Sequence, residues 1–360
     1  MSDLQPVPPI SVMVVDDSAI VRGLITRTLK SDSRIDVVAS CSNGEMAVAQ
    51  AARRTLDVII LDIEMPVMDG LTALPKLQQA NPGARIVMAS TLTQRNAAIS
   101  LRAMALGAAD YIAKPTTERL NASEEFHRDL IRKVIALGQR KRSRPSPDAS
   151  SCPPAKAHHA VRGGVMRQPR IIAIGSSTGG PQALLTLLPA LPATVACPIV
   201  IAQHMPATFT TVLAQHIERA SNRPCSEAAD GMEIRPGRIY LAPGDYHFEV
   251  MRAGAGFAAR LSQTPPQNFC RPSVDPLFHS VAQLFGAESC AVMLTGMGAD
   301  GCGGAKAIAA AGAPVIAQDE ATSVVWGMPG AVAQAGICSA ILPLPRIAGH
   351  LASLFERAAA

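Results

Sequence analysis

Residues 171–180 are Ile-Ile-Ala-Ile-Gly-Ser-Ser-Thr-Gly-Gly. The apolar half, rich in β-branched residues, predicts a buried strand, and the glycine- and hydroxyl-rich half predicts a tight turn. Pro181 fits the first turn of a helix after that turn. Gly175 to Gly179 satisfies the pattern G-x-S-x-G, in which the glycines let the backbone bend sharply enough to expose the hydroxyl of Ser177. The alternative is a loop whose amides bind a phosphate at a helix N-terminus. The stretch alone leaves both hypotheses open.

The length and composition predict a globular protein of two domains. A chain of 360 residues exceeds what one hydrophobic core normally serves, and 48% apolar with 17% charged residues is typical of a folded protein. We find neither a long uninterrupted apolar run nor an N-terminal signal pattern, so we expect a cytoplasmic protein without membrane insertion. The eight cysteines form no C-x-x-C pair, which indicates reduced core residues rather than disulfides or zinc ligands.

The positive charge is concentrated in one segment. The net charge is +5, and residues 138–168 alone contain seven Arg or Lys against one acid, Asp148. Many Pro, Ser and Ala residues accompany these charges, so we predict a basic linker that cannot order itself by burying apolar surface. With 3% aromatic residues, the sequence gives no support for nucleic acid binding.

Before the linker, short apolar strands alternate with segments of helical periodicity. The predicted strands are Ile10–Val15, Ile35–Ala39, Asp57–Leu61, Arg85–Ala89 and Ala109–Ala113. Five such repeats in so short a segment predict a five-stranded parallel sheet with helices on both faces. Ligands of such sheets bind outside the carboxyl ends of the strands.

Five polar residues fall at those strand ends: Asp16, Asp17, Asp62, Ser90 and Lys114. Three crowded carboxylates need a cation to stay ionised together, and a site with oxygen ligands only, left half open to water, suits Mg²⁺. A lysine and a hydroxyl nearby could hold a phosphoryl group delivered to one carboxylate. Taken alone, Asp17 fits a helix N-cap better than a ligand.

These residues lie in motifs that resemble the receiver domain of two-component response regulators, which has a flavodoxin-like fold. The motifs are Val-Asp-Asp-Ser at 15–18, Asp-Ile-Glu-Met-Pro-Val-Met-Asp-Gly at 62–70 and Lys-Pro at 114–115. The resemblance covers residues 10–137. It implies that Asp62 is the phosphoacceptor, that Asp16 and Asp17 bind Mg²⁺ together with it, and that Ser90 and Lys114 sense the phosphoryl group.

A second α/β domain is predicted over residues 169–358. The predicted parallel strands are Ile171–Ile174, Pro198–Ala202, Ser289–Leu294 and Pro314–Ala317, and Thr208–Ala220 is a predicted helix. Three more strands, separated by glycine-rich turns, are expected to form an antiparallel insertion: Ile234–Leu241, His247–Arg252 and Phe257–Ser262. The predicted class is a doubly wound α/β domain with this small insertion.

A serine nucleophile needs a base, and the base needs an orienting carboxylate. Of the histidines in this half, only His204 follows a parallel strand. Pro206 disfavours a helical backbone just before it, so His204 is expected on a loop at the end of that strand. Among the acids, Asp300 has the same position in a glycine-rich loop. The competing acids are Asp230, Asp245, Asp275 and Asp319. The chain order Ser, His, Asp differs from that of the α/β-hydrolases.

Four motifs of this half resemble the catalytic domain of the chemotaxis protein-glutamate methylesterases. They are Gly-Ser-Ser-Thr-Gly-Gly at 175–180, Gln-His-Met-Pro at 203–206, Arg-Pro-Ser-Val-Asp at 271–275 and Leu-Thr-Gly-Met-Gly-Ala-Asp-Gly at 294–301. The resemblance implies the nucleophile Ser177, the base His204 and the orienting carboxylate Asp300. It also implies that Thr178 and the amide of Met297 line the oxyanion site. Ala299 departs from the asparagine that is frequent in the family.

The resemblance further implies an activity and its control. The substrates would be glutamate methyl esters, and also glutamines, on methyl-accepting chemoreceptors, hydrolysed without a cofactor at the esterase site. A sensor histidine kinase would phosphorylate Asp62 and so relieve inhibition by a receiver that covers the cleft of a monomeric enzyme. A DNA-binding regulator would need a recognition helix, which the second half does not offer. The alternative function is a response regulator with a phosphate- or nucleotide-binding module, which leaves His204 and Asp300 without a role.

Overall fold

The structure is a computed structural model that describes residues 8–91, 93–114, 122–142 and 167–356. The chain divides into two compact units, one up to Ser151 and the other from Cys152. Each unit has its own sheet. They are described separately below.

The first unit is a five-stranded parallel sheet in the order β2-β1-β3-β4-β5. Its strands are β1 (Ile10–Val15), β2 (Ile35–Cys41), β3 (Val58–Asp62), β4 (Arg85–Ser90) and β5 (Asp110–Ala113). Its helices are α1 (Ala19–Lys30), α2 (Gly44–Ala51), α3 (Gly70–Ala80), α4 (Gln94–Ala105) and α5 (Ala122–Arg142). The predicted sheet is confirmed. The strand order reverses between β1 and β3, so the residues that follow these strands share one crevice.

Local sequence signals explain where the helices of this unit begin. Ser18, Asn43, Asp69 and Thr93 each accept a backbone N–H of the first helical turn through the side chain. Ser18, and not Asp17, therefore caps α1, which leaves the carboxylate of Asp17 available for another role.

Helix α5 continues to Arg142 and so enters the segment that we predicted as a linker from residue 138. Gln139, Lys141 and their neighbouring arginines are good helix formers, and a helix that is already nucleated extends at little cost. Residues 143–166 of the predicted linker lie outside the described residues.

The second unit carries nine strands among its described residues. They are β6 (Ile171–Ser176), β7 (Ile199–Gln203), β8 (Cys225–Glu227), β9 (Ile239–Leu241), β10 (His247–Ala253), β11 (Gly256–Ser262), β12 (Ser289–Met293), β13 (Val315–Gln318) and β14 (Ala340–Leu342). The helices are α6 (Gly180–Leu187), α7 (Ala207–Ser221), α8 (Val274–Phe285), α9 (Cys302–Ala310), α10 (Met328–Gln334) and α11 (Leu344–Glu356), with 3₁₀ turns at Leu188–Ala190 and Gly286–Glu288.

Seven of these strands form one parallel sheet in the order β14-β13-β12-β6-β7-β9-β8. The central strands β6, β7 and β12 are buried along their whole length, as expected for a parallel sheet covered on both faces. The chain leaves β6 on one side toward β7 and returns on the other side to β12. The loops after these three strands therefore meet at the point where the topology reverses.

One strand prediction was wrong. The segment Ile234–Leu241 does not belong as a whole to the antiparallel insertion, because its second half, β9, pairs in parallel with β7 and β8. Its first half does lie along the hairpin of β10 and β11, where Ile234 N donates to Phe257 O at 2.8 Å. Pro236 and Gly237 interrupt the segment between the two halves. The short strands β8 and β14 were also missed, since three residues carry too little periodicity to be recognised.

Within the described residues, the helices are all too short or too polar to cross a membrane. The seven cysteines that the structure describes are all free, and five of them are buried. The five buried cysteines lie in the core, as predicted, whereas Cys270 and Cys302 are half-buried.

Candidate active site

The turn after β6 presents Ser177 at the edge of the main sheet. Ser177 N donates to Thr295 O at 3.0 Å, and Gly180 N donates to Ser177 O at 2.8 Å, which closes the turn before α6. Gly179 has φ 75°, a left-handed backbone that glycine adopts without strain. Ser177 itself is half-buried. The predicted strand, turn and helix are thus present, with the serine facing the crevice of the sheet.

The buried side chain of Gln203 ties this turn to the end of β7. Its Oε1 accepts from Ser176 Oγ at 2.6 Å, and its Nε2 donates to the carbonyls of Ser177 at 3.0 Å and His204 at 3.2 Å. The backbone of His204 also donates to Ser176 O at 3.1 Å. Ser177 and His204 therefore follow neighbouring strands at the same level, held there by a side chain that sequence reasoning did not single out.

The imidazole of His204 binds a carboxylate. Its Nε2 lies 2.7 Å from Oδ2 of Asp300, and the two side chains are 11% and 2% exposed. A carboxylate only accepts hydrogen bonds, so Nε2 carries a hydrogen, and in the neutral form of the ring Nδ1 has the lone pair. The structure thus brings two of the three predicted catalytic side chains into direct contact, beside the turn that carries the third.

Asp300 is held by three further donors. Its Oδ1 accepts from Ser273 Oγ at 2.6 Å and from Asn268 Nδ2 at 2.8 Å, and its Oδ2 accepts from Val274 N at 2.6 Å. Val274 is the first residue of α8, so the carboxylate also lies at the positive end of that helix. These contacts stabilise the ionised carboxylate.

Asp275, one of the competing acids, takes part in a reciprocal pair of contacts between α8 and α9. Asp275 lies on α8, and its Oδ1 accepts from Gly304 N at 2.7 Å in the first turn of α9. Asp300 lies just before α9, and its Oδ2 accepts from Val274 N at the start of α8. The amide of Asn268 donates to both carboxylates, at 3.0 Å to Asp275 and 2.8 Å to Asp300. Asp275 therefore fixes the two helices against each other and makes none of the hydrogen bonds given for His204.

The other competing acids have separate partners. Asp230 accepts from Leu261 N, Asp245 pairs with Arg271, and Asp319 accepts from Thr322.

Cys270 faces the other side of the imidazole. Its Sγ lies 3.4 Å from Nδ1 of His204. Burial by itself would lower the pKa of His204, but Cys270 and the hydrogen bond and charge of Asp300 outweigh it, so this pKa lies above the usual 6.5. For Asp300, burial opposes ionisation, but the hydrogen bond and charge of His204, with those from Ser273 and Val274, hold its pKa below the ordinary range.

The residues predicted for the oxyanion site lie on two loops: Thr178 directly follows Ser177 after β6, and Met297 lies on the loop after β12. Thr178 is buried, and its carbonyl accepts from Thr295 Oγ1 at 2.9 Å. Met297 is half-buried, and the departing residue Ala299 is exposed. A Cβ added to Gly296 would lie 2.9 Å from Cβ of Ser177. The loop after β12 thus approaches the serine closely enough to require glycine there.

The first unit brings the predicted acidic cluster together. Oxygen atoms of Asp16, Asp17 and Asp62 lie within 4.8 Å of one another. Lys114 Nζ pairs with Asp16 Oδ2 at 2.7 Å and with Asp62 Oδ1 at 2.6 Å. Asp16 Oδ2 is buried and accepts no hydrogen bond within the described residues apart from this ion pair. An oxygen-only donor set with a free lone pair fits a hard divalent cation.

The remaining residues of this cluster lie around Asp62. Burial raises the pKa of Asp62 to about 6, against the opposing ammonium of Lys114. Ser90 is buried at the end of the neighbouring strand β4, where its hydroxyl donates to Thr91 O at 3.1 Å. In this structure, therefore, the hydroxyl of Ser90 donates to the backbone of its own loop.

Four site residues escaped the sequence analysis: Gln203, Asn268, Cys270 and Ser273. Gln203 and Ser273 belong to the motifs Gln-His-Met-Pro and Arg-Pro-Ser-Val-Asp, so their positions were noted but their roles were not. The approach of residues 268–273 to Asp300 depends on a loop between β11 and α8, which periodicity does not predict.

Comparison with known proteins supports the division of the chain. The family model described as CheB methylesterase matches residues 172–351, and the one described as response regulator receiver domain matches residues 12–123. The first covers the unit that contains Ser177, His204 and Asp300. The match does not favour the alternative of a phosphate- or nucleotide-binding module.

Whole-length relatives and a solved structure agree with this assignment. The chain is 54% identical, over 97% of each sequence, to "Protein-glutamate methylesterase/protein-glutamine glutaminase 1" of Paramagnetospirillum magneticum. It is 53% identical to the protein of the same name from Rhodospirillum rubrum, over 95% of this chain and 94% of that one. The crystal structure of the Thermotoga maritima CheB methylesterase catalytic domain matches with 40% identity and a TM-score of 0.51, over 52% of this chain and 99% of that domain. The chain belongs to the CheB methylesterase family and carries a response-regulator receiver domain ahead of the methylesterase domain.

Proposed function

We propose that this protein hydrolyses glutamate γ-methyl esters on chemoreceptors and releases methanol, under control of phosphorylation at its receiver domain. One observation carries the proposal: the buried ion pair of His204 and Asp300, at 2.7 Å, lies at the strand ends that also carry Ser177. The names of the whole-length relatives support the class of reaction. Adaptation in chemotaxis is the process in which such an activity would act.

The chemistry follows from the tautomer of His204. Because Asp300 holds the hydrogen on Nε2, Nδ1 takes the proton of Ser177 Oγ as this oxygen attacks the γ-carbonyl carbon of the ester. The tetrahedral intermediate collapses, and the C–O bond to the methoxy group breaks as Nδ1 returns the proton to it. Methanol leaves, and water, deprotonated by the same nitrogen, cleaves the acyl-serine to a free glutamate. Thr178 and the amide of Met297 are proposed to stabilise the oxyanion.

The same steps apply to a glutamine side chain. The acyl-serine is identical, and ammonia takes the place of methanol as the leaving group. We therefore propose that the protein also deamidates receptor glutamines, in agreement with the second half of the relatives' names.

For the control step, we propose that a sensor histidine kinase delivers a phosphoryl group to Asp62. Asp16, Asp17 and Asp62 would hold Mg²⁺, which neutralises charge on the transferred group when bound. Lys114 and Ser90, at the ends of β5 and β4, would contact that group. We further propose a cytoplasmic location, where the seven cysteines that the structure describes, five of them buried, would remain reduced.

The test is methanol release from receptor membranes that carry labelled methyl esters, measured with and without a small phosphodonor. We expect release by the full chain, stimulation by the phosphodonor with Mg²⁺, and loss of release in Ser177→Ala with an unchanged unfolding transition. Substantial release by the folded Ser177→Ala protein would overturn the assignment of the nucleophile.

A further inference from the structure

His247 is a buried histidine that the proposed mechanism does not use. It is the first residue of β10 and is 1% exposed. Its Nδ1 accepts from Ser273 N at 3.2 Å, and its Nε2 lies 3.2 Å from Pro265 O. Both ring nitrogens thus contact the backbone of the segment that leads from β11 into α8.

These two contacts fix the tautomer of the ring. A backbone N–H only donates and a carbonyl only accepts, so Nδ1 carries the lone pair and Nε2 carries the hydrogen. A ring held at both nitrogens by backbone is a rigid connection between Pro265 and Ser273. If the acceptor were lost, the buried N–H of Ser273 would lack a partner, which is costly enough to move the segment.

Ser273 links this ring to the candidate catalytic pair. It occupies the N-cap position of α8, yet its side chain makes no capping hydrogen bond. Its hydroxyl donates instead to Asp300 Oδ1 at 2.6 Å, and the next amide, Val274 N, donates to Oδ2 at 2.6 Å. Ser273 thus uses its hydroxyl to stabilise the carboxylate of Asp300 instead of capping α8, the usual function of a serine at this position.

We infer that His247 is a positioning residue of the esterase: it holds the backbone of Ser273 so that Ser273 and Val274 orient Asp300 against His204. The inference rests on the proposed function. The route is continuous and buried, from the ring of His247 through Ser273 to the carboxylate, and from there to Nε2 of His204 at 2.7 Å. His247 touches neither Ser177 nor His204 among the described contacts, so it acts through Asp300.

Two conservative variants separate this role from simple packing. In His247→Asn, the amide oxygen stands the same number of bonds from Cβ as Nδ1 and can accept from Ser273. In His247→Gln, the amide reaches the place of Nε2 instead and leaves the Ser273 amide without an acceptor. We expect kcat for methanol release to fall about tenfold in His247→Gln and less than about threefold in His247→Asn, with KM for the receptor nearly unchanged in both, because only the orientation of Asp300 is lost.

A double-mutant cycle gives the second readout. Ser273→Ala removes the hydroxyl that reaches Asp300, so we expect about a tenfold loss of kcat. If His247 acts through Ser273, the double variant Ser273→Ala/His247→Gln should lose little more than either single variant. Additive losses, about a hundredfold, would overturn the inference, and so would equal kcat values for the Asn and Gln variants.

The matched control is His216, on α7, exchanged to Asn and Gln in the same way; it makes none of the contacts given for the site. All variants are assayed as full chains with saturating phosphodonor, well below their unfolding temperatures. If the unmodified protein releases no methanol, the proposed function fails. If it does, and His247→Gln matches it, the inference about His247 fails alone.

Discussion

Oδ2 of Asp300 lies 2.7 Å from Nε2 of His204, and it is this nitrogen, not Nδ1, that the carboxylate binds. The remaining ring nitrogen, Nδ1, is therefore the one that the proposed mechanism assigns to Ser177. Asp300 also accepts hydrogen bonds from Asn268, Ser273 and Val274, which keep it ionised in a buried place. The orientation of the ring is thus set before any substrate binds.

The first prediction concerns pH. In the proposed mechanism His204 acts as a base in its neutral form. Burial lowers its pKa, but Cys270 and Asp300 together raise it above 6.5. The neutral fraction rises with pH, so kcat/KM should increase with pH, with its midpoint above 6.5. Asp300→Asn removes the negative charge and leaves the ring free to adopt the wrong tautomer. We expect the midpoint to move to lower pH and the plateau to fall by ~10³- to 10⁴-fold.

Asp319→Asn is the control for that measurement, because Asp319 also follows a parallel strand but accepts from Thr322 rather than from the imidazole. Its profile should match that of the unmodified protein. An Asp300→Asn profile with an unchanged plateau would rule out the orienting role of Asp300.

The second prediction concerns the thiol of Cys270, 3.4 Å from Nδ1 of His204. In the proposed mechanism Ser177 donates its proton to this nitrogen, and an alkyl group on the neighbouring Sγ would obstruct that approach. Iodoacetamide should therefore abolish methanol release at the rate at which Cys270 is modified, followed by mass spectrometry. Cys270→Ala should keep kcat within about threefold, a small loss of under ~1 kcal/mol, and should resist the reagent.

Cys302 provides the comparison, since it is also half-buried but its thiol contacts Ala331 O. A Cys302→Ala protein should remain sensitive. Inactivation of Cys270→Ala at the original rate would show that another group is responsible.

The sequence was sufficient to predict the five strands of the first sheet, four of the seven strands of the second, and the strand ends at which the candidate site residues lie. The predicted bounds Ile10–Val15 equal those of β1. The prediction of His204 as base and Asp300 as orienting carboxylate rests on the rule that parallel strands bring their carboxyl ends together, and the two side chains are in contact. The tautomer of His204 could not be predicted, because it depends on which ring nitrogen meets Asp300. Nor could the contacts of Asn268 and Cys270, which lie on a loop whose path is set by long-range hydrogen bonds.

The error in the strand prediction has a similar cause. Ile234–Leu241 has the alternation of a hairpin strand, but its two halves pair with different sheets, which only tertiary contacts decide. The alternative that Asp17 caps α1 was also open from the sequence, and the structure shows that the next residue, Ser18, accepts from Val21 N. Local propensity predicted that a cap was needed there, but not which of two suitable side chains would supply it.

The third prediction tests how closely the loop after β12 approaches the nucleophile. In Gly296→Ala, the new methyl group would lie 2.9 Å from Cβ of Ser177 and 3.1 Å from its amide nitrogen. It would also meet Sδ of Met328. Because the Cβ and amide nitrogen of Ser177 belong to the turn that holds the proposed nucleophile, we expect this turn to shift, and a displacement of about 1 Å costs ~100-fold in rate. Methanol release by the purified variant should fall to that extent.

Gly349→Ala is the matched control. Gly349 lies within α11, and nothing approaches its missing Cβ within 4 Å. The exchange should leave methanol release unchanged and raise the free energy of unfolding by roughly 0.5–1 kcal/mol, as alanine is the better helix former. Unchanged activity in Gly296→Ala would contradict the close approach.

The last prediction separates activation from catalysis. Asp62 is paired with Lys114 at 2.6 Å in the acidic cluster of the first unit, whereas Ser177, His204 and Asp300 all lie in the second. Asp62→Asn removes the proposed phosphoacceptor without touching the esterase residues, so basal methanol release should persist while stimulation by a phosphodonor with Mg²⁺ is lost. Asp69→Asn is the control: Asp69 caps α3 by accepting from Thr72 N at 2.7 Å, and asparagine caps equally well. Stimulation should survive in that variant, and stimulation that survived in Asp62→Asn would move the phosphoacceptor to another residue.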